Sequence, residues 1–171
     1  MSDSGKFYGK YRGMVMNNID PMQMGRLMVQ VPDVTSLAPA SWAMPCVPVA
    51  GIQNGMMALP MIGSGVWVEF EHGDPDYPIW TGCFWGSAAE VPALARLTPP
   101  AVQAITLQTP LQNGLTISDL PGPTGGIMLK STTGAAIIVN DTGIYIQNGK
   151  GASIVMVGPS VTVNAGALVV V

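Results

Sequence analysis

The chain has 171 residues, room for one large domain or two small ones, and only 10% of them are charged, against about 25% in ordinary soluble proteins. A 48% hydrophobic fraction with so little charge excludes a disordered chain and predicts that surface is covered by association with other chains. The net charge of −3 and seven scattered basic residues exclude the clustered Lys and Arg that a nucleic-acid partner needs.

Residues 1–9 read as an N-terminal arm. Met1–Lys6 lacks the apolar core of a signal peptide, so assembly in the bacterial cytoplasm is expected. Residues 10–86 read as a small antiparallel β-barrel. Tyr11–Met16 and Arg26–Val31 alternate apolar and polar positions, with Asn18-Ile19-Asp20-Pro21 and Gly25 making the turn between them. Gly65–Glu71 alternates most cleanly, setting Val66, Val68 and Phe70 on one face and Trp67, Glu69 and Glu71 on the other. His72–Asp76 is turn chemistry, and Tyr77–Trp85 returns as the partner strand. A Met-rich chain with two cysteines, Cys46 and Cys83, fits a reducing compartment, which favours free thiols over a disulfide.

Residues 87–102 are Ala- and Pro-rich and read as a linker, ending at Thr98-Pro99-Pro100. Residues 103–171 change character. Glycines recur at Gly126, Gly134, Gly143, Gly151, Gly158 and Gly166, each followed by a short apolar alternation. One strand and one glycine corner per repeat describe a β-solenoid. The predicted inward residues are Ile127, Leu129, Ile137, Val139, Ile144, Ile146, Val155, Val157, Val161 and Val163. Burying two of them stabilises a repeat by about 1.5–3 kcal/mol each. Ordering eight residues costs about 1–2 kcal/mol apiece. A lone chain therefore loses, and the expectation is an intertwined β-helix of three chains, in which strands pair with neighbouring chains and a shared interior completes the burial. Leu168, Val169, Val170 and Val171 give that needle an apolar end, fit either to dock a separate tip cap or to close the core.

Other constellations carry weaker signals. Glu69, Glu71, His72, Asp74 and Asp76 include metal-ligand and paired-carboxylate chemistry, but a solvated hairpin turn accounts for them better. No catalytic residue, cofactor or metal is expected. Trp42, Trp67, Trp80 and Trp85 lack the basic groove of a base-stacking platform. The segment Gly55–Met61 reads equally as an adaptable contact surface or as core filling.

These segments together resemble a known family. The carriers are Tyr11–Pro21, Gly25–Asp33, Trp42–Cys46, Pro60–Phe70 and Gly73–Gly82. They resemble the oligonucleotide/oligosaccharide-binding (OB) domain of contractile-tail spikes, namely phage baseplate assembly protein V and the VgrG proteins of type VI secretion. The glycine-spaced tail is similar in kind to that family's β-helix. The resemblance implies a non-enzymatic homotrimeric spike in a virion tail baseplate or injection particle. It implies attachment to a separate trimeric tail hub, a PAAR-type cap at the tip, and transient contact with the target outer membrane as the needle pierces it. Some relatives carry a lysozyme domain or an iron-binding His-x-His tip; this chain has no space for the first and a single histidine, His72, far from the needle. The rival readings are an OB-type module binding nucleic acid or saccharide and a spike of a type VI-like secretion system.

Overall fold

The computed structural model describes residues 5–35 and 41–170. The chain is all-β apart from single helical turns, and it forms two compact units that divide between Ala88 and Ala89.

The first unit contains β1 (Tyr11–Asn17), β2 (Leu27–Gln30), the one-turn helix α1 (Pro32–Thr35), β3 (Trp42–Pro45), the two-residue strands β4 (Ala50–Gly51) and β5 (Asn54–Gly55), β6 (Gly65–Phe70) and β7 (Pro78–Phe84). Five of these strands close a barrel in the order β1-β2-β3-β7-β6. Every pair in it is antiparallel except β3 with β7, where Met44 and Pro45 lie beside Ile79 and Trp80. A five-stranded Greek-key barrel of this kind is the OB architecture.

Period-2 alternation fills the barrel. Val15, Leu27, Val29, Val66 and Val68 are fully buried, with Phe70 and Trp80 closing the same cluster. The expected orientation of β6 is the observed one for its six residues: Val66, Val68 and Phe70 point inward, and Trp67 and Glu69 point outward. Each such aliphatic burial contributes about 1.5–3 kcal/mol.

The turn between β1 and β2 is organised by a single carboxylate. Asp20 accepts hydrogen bonds from the backbone N–H groups of Met22, Met24 and Arg26 and from Nε and Nη2 of Arg26, the last at 2.6 Å. Arg26 in turn lies over the Trp42 ring, 5.4 Å from its centroid. The buried indole Nε1 of Trp80 donates to Gly25 O at 3.0 Å, which pins the far side of the turn. The Arg26 guanidinium holds the Asp20 carboxyl well below its ordinary value of 3.8; burial opposes this, and the three backbone donors add to it. A depressed folded-state pKa means that this contribution is present above the unfolded value and is lost as pH falls through the folded one. The barrel is therefore expected to lose stability below about pH 4, and Asp20→Asn is expected to be less stable at neutral pH with a flatter acid limb. Thermal melts across pH, followed by tryptophan fluorescence, check this. A variant that keeps the wild-type acid slope refutes it.

The second unit contains β8 (Ala104–Gln108), β9 (Gly114–Ser118), β10 (Gly126–Lys130), β11 (Ala136–Asn140), β12 (Gly143–Gln147), β13 (Ser153–Val157), β14 (Ser160–Val163) and β15 (Leu168–Val170). They form one sheet in which each strand pairs antiparallel with its sequence neighbours. The six glycines that mark the repeat all have positive φ and lie at or beside the reversals.

Within one chain the ladder hydrogen bonds join consecutive strands, because reversals this tight return the backbone directly onto the strand it has just left. Residues 87–102, read from the sequence as a linker, contain local structure. Ala93–Leu97 forms a 3-10 turn whose Leu94 is 3% exposed, with its N–H on Oε1 of Gln108.

Polar corners tie successive reversals together. Asn113 Oδ1 accepts from the N–H of Thr132, Asp141 Oδ2 from that of Gly122, and Asn164 Oδ1 from that of Ser153. Eight strands about 4.8 Å apart make a sheet roughly 34 Å along the pairing direction.

Candidate functional site

The conspicuous surface is one face of the β8–β15 sheet. Register decides which side chains share it. Ile105 lies beside Ile117, Ile117 beside Ile127, Ile127 beside Val139, and Val139 beside Ile144. A second column runs Leu107, Leu115, Leu129, Ile137, Ile146, Ile154 and Val163. Each strand from β8 to β14 thus offers two apolar side chains to the same side. On the single chain most of this face is open, with exposure reaching 62% at Ile105, while Leu115, Met156, Val161 and Val163 are half-buried.

The opposite face differs. Its central row is Thr106, Thr116, Met128, Ile138, Tyr145, Val155 and Thr162. Thr116 is buried and the other six are half-buried in the single chain. Leu94, Leu97 and Thr98 roof part of it, enclosing a cavity of about 310 Å³ with Thr116, Met128 and Ile138. The chain covers the β8–β11 part of this side with its own turns, whereas Val157 on the same side is 46% exposed, and no turn roofs the aliphatic columns. Monomeric proteins rarely expose an apolar strip of this length.

Eight of the ten predicted inward residues lie on the aliphatic face: Ile127, Leu129, Ile137, Val139, Ile144, Ile146, Val161 and Val163. Val155 and Val157 do not. The register puts Ile154 beside Ile146 and Met156 beside Ile144, which turns Val155 and Val157 to the other side. Parity is the reason. Ile137 follows its corner glycine, Gly134, by three residues, and the same count from Gly151 reaches Ile154 rather than Val155. Of the suggested cap-docking residues, Leu168 opens β15 and is 58% exposed, and Val171 lies outside the described residues.

Of the remaining candidates, Glu71, His72 and Asp74 line one open pocket with Lys6 and Tyr77. Glu71 and His72 form a 3-10 turn, with His72 left-handed at φ 50°, and Asp74 accepts from the N–H of Asp76 as a local turn bond. Lys10 Nζ pairs with Glu69 at 2.7 Å. Among the described residues no three His, Cys, Asp or Glu side chains are grouped to hold a metal ion. Cys46 and Cys83 are both free and exposed, and partial burial pushes the Cys83 thiol above its ordinary value. Arg12 stacks over Trp67 and Phe84, 5.3 and 4.9 Å from their ring centroids. Trp85 alone among the four tryptophans is largely exposed, at 62%.

Comparison with known proteins divides the chain at the same place. Residues 11–85 match the type VI secretion system/phage-baseplate injector OB domain, and residues 104–169 match the phage baseplate V C-terminal trimerisation domain. No curated protein matches the chain. The first match coincides with the closed barrel and the second with the sheet that carries the open aliphatic face. With both domains present in this order, the chain belongs to the phage baseplate V family of structural injector proteins.

Proposed function

We propose that three copies of the chain bury the aliphatic face of β8–β15 against one another to form a needle, and that this needle is the piercing tip of a contractile injection machine. The observation that carries the proposal is the open two-column face within a trimerisation domain. Three such faces closing on a common axis complete burial that a single chain leaves half done. Each residue covered adds on the order of 1 kcal/mol, about half the value of full burial. The trimer core on this reading is Ile127, Leu129, Ile137, Val139, Ile144, Ile146, Ile154, Met156, Val161 and Val163.

The barrel is the part that attaches to the separate tube hub, and the needle is driven outward through the outer membrane when the sheath contracts. Non-enzymatic action follows from that role: force, not bond cleavage, opens the envelope. The exposed Leu168 belongs to a small apolar platform on which a PAAR-type cap docks.

Particles carrying a chain truncated after Gln147 are expected to assemble and contract but to lose membrane permeabilisation of target cells, read by dye entry. Undiminished dye entry refutes piercing by the needle. Leu168→Asp is expected to preserve the trimer and abolish binding of a purified PAAR-type protein; unchanged binding refutes the cap.

A further inference from the structure

The barrel has two unlike ends, and the strand directions fix which residues lie at each. β6 runs from Gly65 to Phe70, so the turn Glu71–Tyr77 lies at its far end together with Lys6 and Lys10. β1 runs antiparallel to β6 and β7 antiparallel to β6, so the ends of β1 at Asn17 and of β7 at Phe84 both lie beside Gly65. β3 is parallel to β7 and leaves at the same end. Two excursions therefore share this end: the turn 18–26 and the arm 46–64 that carries the β4–β5 hairpin. They are joined, because Asn18 Nδ2 donates to Pro60 O at 2.9 Å and Met57 and Leu59 pack beside Gly25.

This end is apolar and uncovered. Ile19 is 75% exposed, Ile52 at the hairpin tip 99%, and Met22, Met57, Met61 and Trp85 are each more than half exposed. No charged residue occurs between Asp33 and Glu69, and the charges of the turn, Asp20 and Arg26, are spent on each other. An isolated barrel gains nothing from so large an apolar end. Methionines are well suited to such a surface, since their flexible thioethers adapt to a partner's shape.

We infer that the occupant of this end is the same end of the neighbouring copy, so that the three barrels of the trimer pack against one another through the turn 18–26 and the arm 46–64. The inference rests on the trimer and goes beyond its needle. Two observations select a second copy. The chain leaves the barrel at this end, after Phe84, and enters the trimerising unit at Ala89, so trimerisation tethers three copies of this end by a short connection. Such tethering gives an effective concentration on the order of millimolar, at which even a modest apolar contact is occupied. The contact also uses no charge complementarity, as expected when a surface meets its own copies.

Photo-cross-linking of the full chain tests this. Ile52→p-benzoylphenylalanine, irradiated in the purified trimer, is expected to give covalent dimers and trimers on denaturing gels, with products mapping to residues 18–26 or 46–64 of another copy. The same probe at Glu71, at the charged end, is expected to give at least fivefold less. Adding Met57→Asp and Ile19→Asp to the Ile52 probe should remove the product, while the native mass stays trimeric. A trimeric mass with no inter-chain product from Ile52 overturns the barrel contact and leaves the needle intact. A product to a different protein in assembled particles, without one between copies, also overturns it. A monomeric mass removes the trimer itself, and the inference falls with it.

Discussion

Replacing Ile137 with Asp is expected to convert a trimer that resists SDS without boiling into separated chains. On the single chain this side chain is 45% exposed and a carboxylate there stays hydrated. The cost arises only if the face is covered. Ile137 lies mid-sheet, beside Leu129 on one strand and Ile146 on the other. In the needle, three carboxylates then meet at one level with no cation among the core residues to pair with. An unpaired buried charge costs several kcal/mol per ion even after relaxation, and neighbouring like charges add to it. Summed over three chains, this is comparable with the typical stability of a domain, about 5–15 kcal/mol. Lys150→Asp, at an exposed corner, is the control and should leave the trimer intact. An Ile137→Asp chain that still migrates as an SDS-resistant trimer would show that this face is not the core.

The second large effect is expected at a glycine corner. Gly126 opens β10 at φ 79°, in the left-handed region that side chains disfavour. A Cβ placed on it would sit far inside contact with Val139 O and 2.9 Å from Asn140 Cα, both backbone atoms of the adjoining strand. Neither can move without breaking the ladder. Gly126→Ala therefore combines about 1–2 kcal/mol of backbone strain with about 1–3 kcal/mol of overpacking, in every chain. Gly151 isolates the first contribution, for it has φ 104° and open space around its Cβ position. The unfolding midpoint of the needle should fall clearly further in Gly126→Ala than in Gly151→Ala. Equal shifts would mean that the close approach of β10 and β11 does not hold in solution.

How far the sequence reveals this architecture depends on the range of the interaction. Alternation at Val66, Val68 and Phe70 is local and survives into the barrel unchanged. The glycine spacing likewise marks every reversal from Gly126 onward, because a backbone at positive φ leaves its trace in residue type. Parity across a corner is less visible. Val155 and Val157 alternate as well as Ile154 and Met156 do, and only pairing with Ile144 and Ile146 decides between them.

The organising role of Asp20 is hidden for a different reason. Three of its donors are backbone N–H groups, which no residue type announces. Met56, Met57 and Met61 read equally as core or as surface, and all three prove exposed. Their environment is set by where the arm leaves the barrel, which is a property of topology. The pairing of consecutive strands along the chain also depends on geometry at the corners that composition does not carry.

The central claim is that the aliphatic face is buried between three copies, and native mass spectrometry of the full chain at low micromolar concentration tests it most directly. The predicted result is a single species at three times the 17.8 kDa chain mass, lost in Ile137→Asp and kept in Lys150→Asp. A monomer at the chain mass, with β8–β15 still folded, would contradict the account.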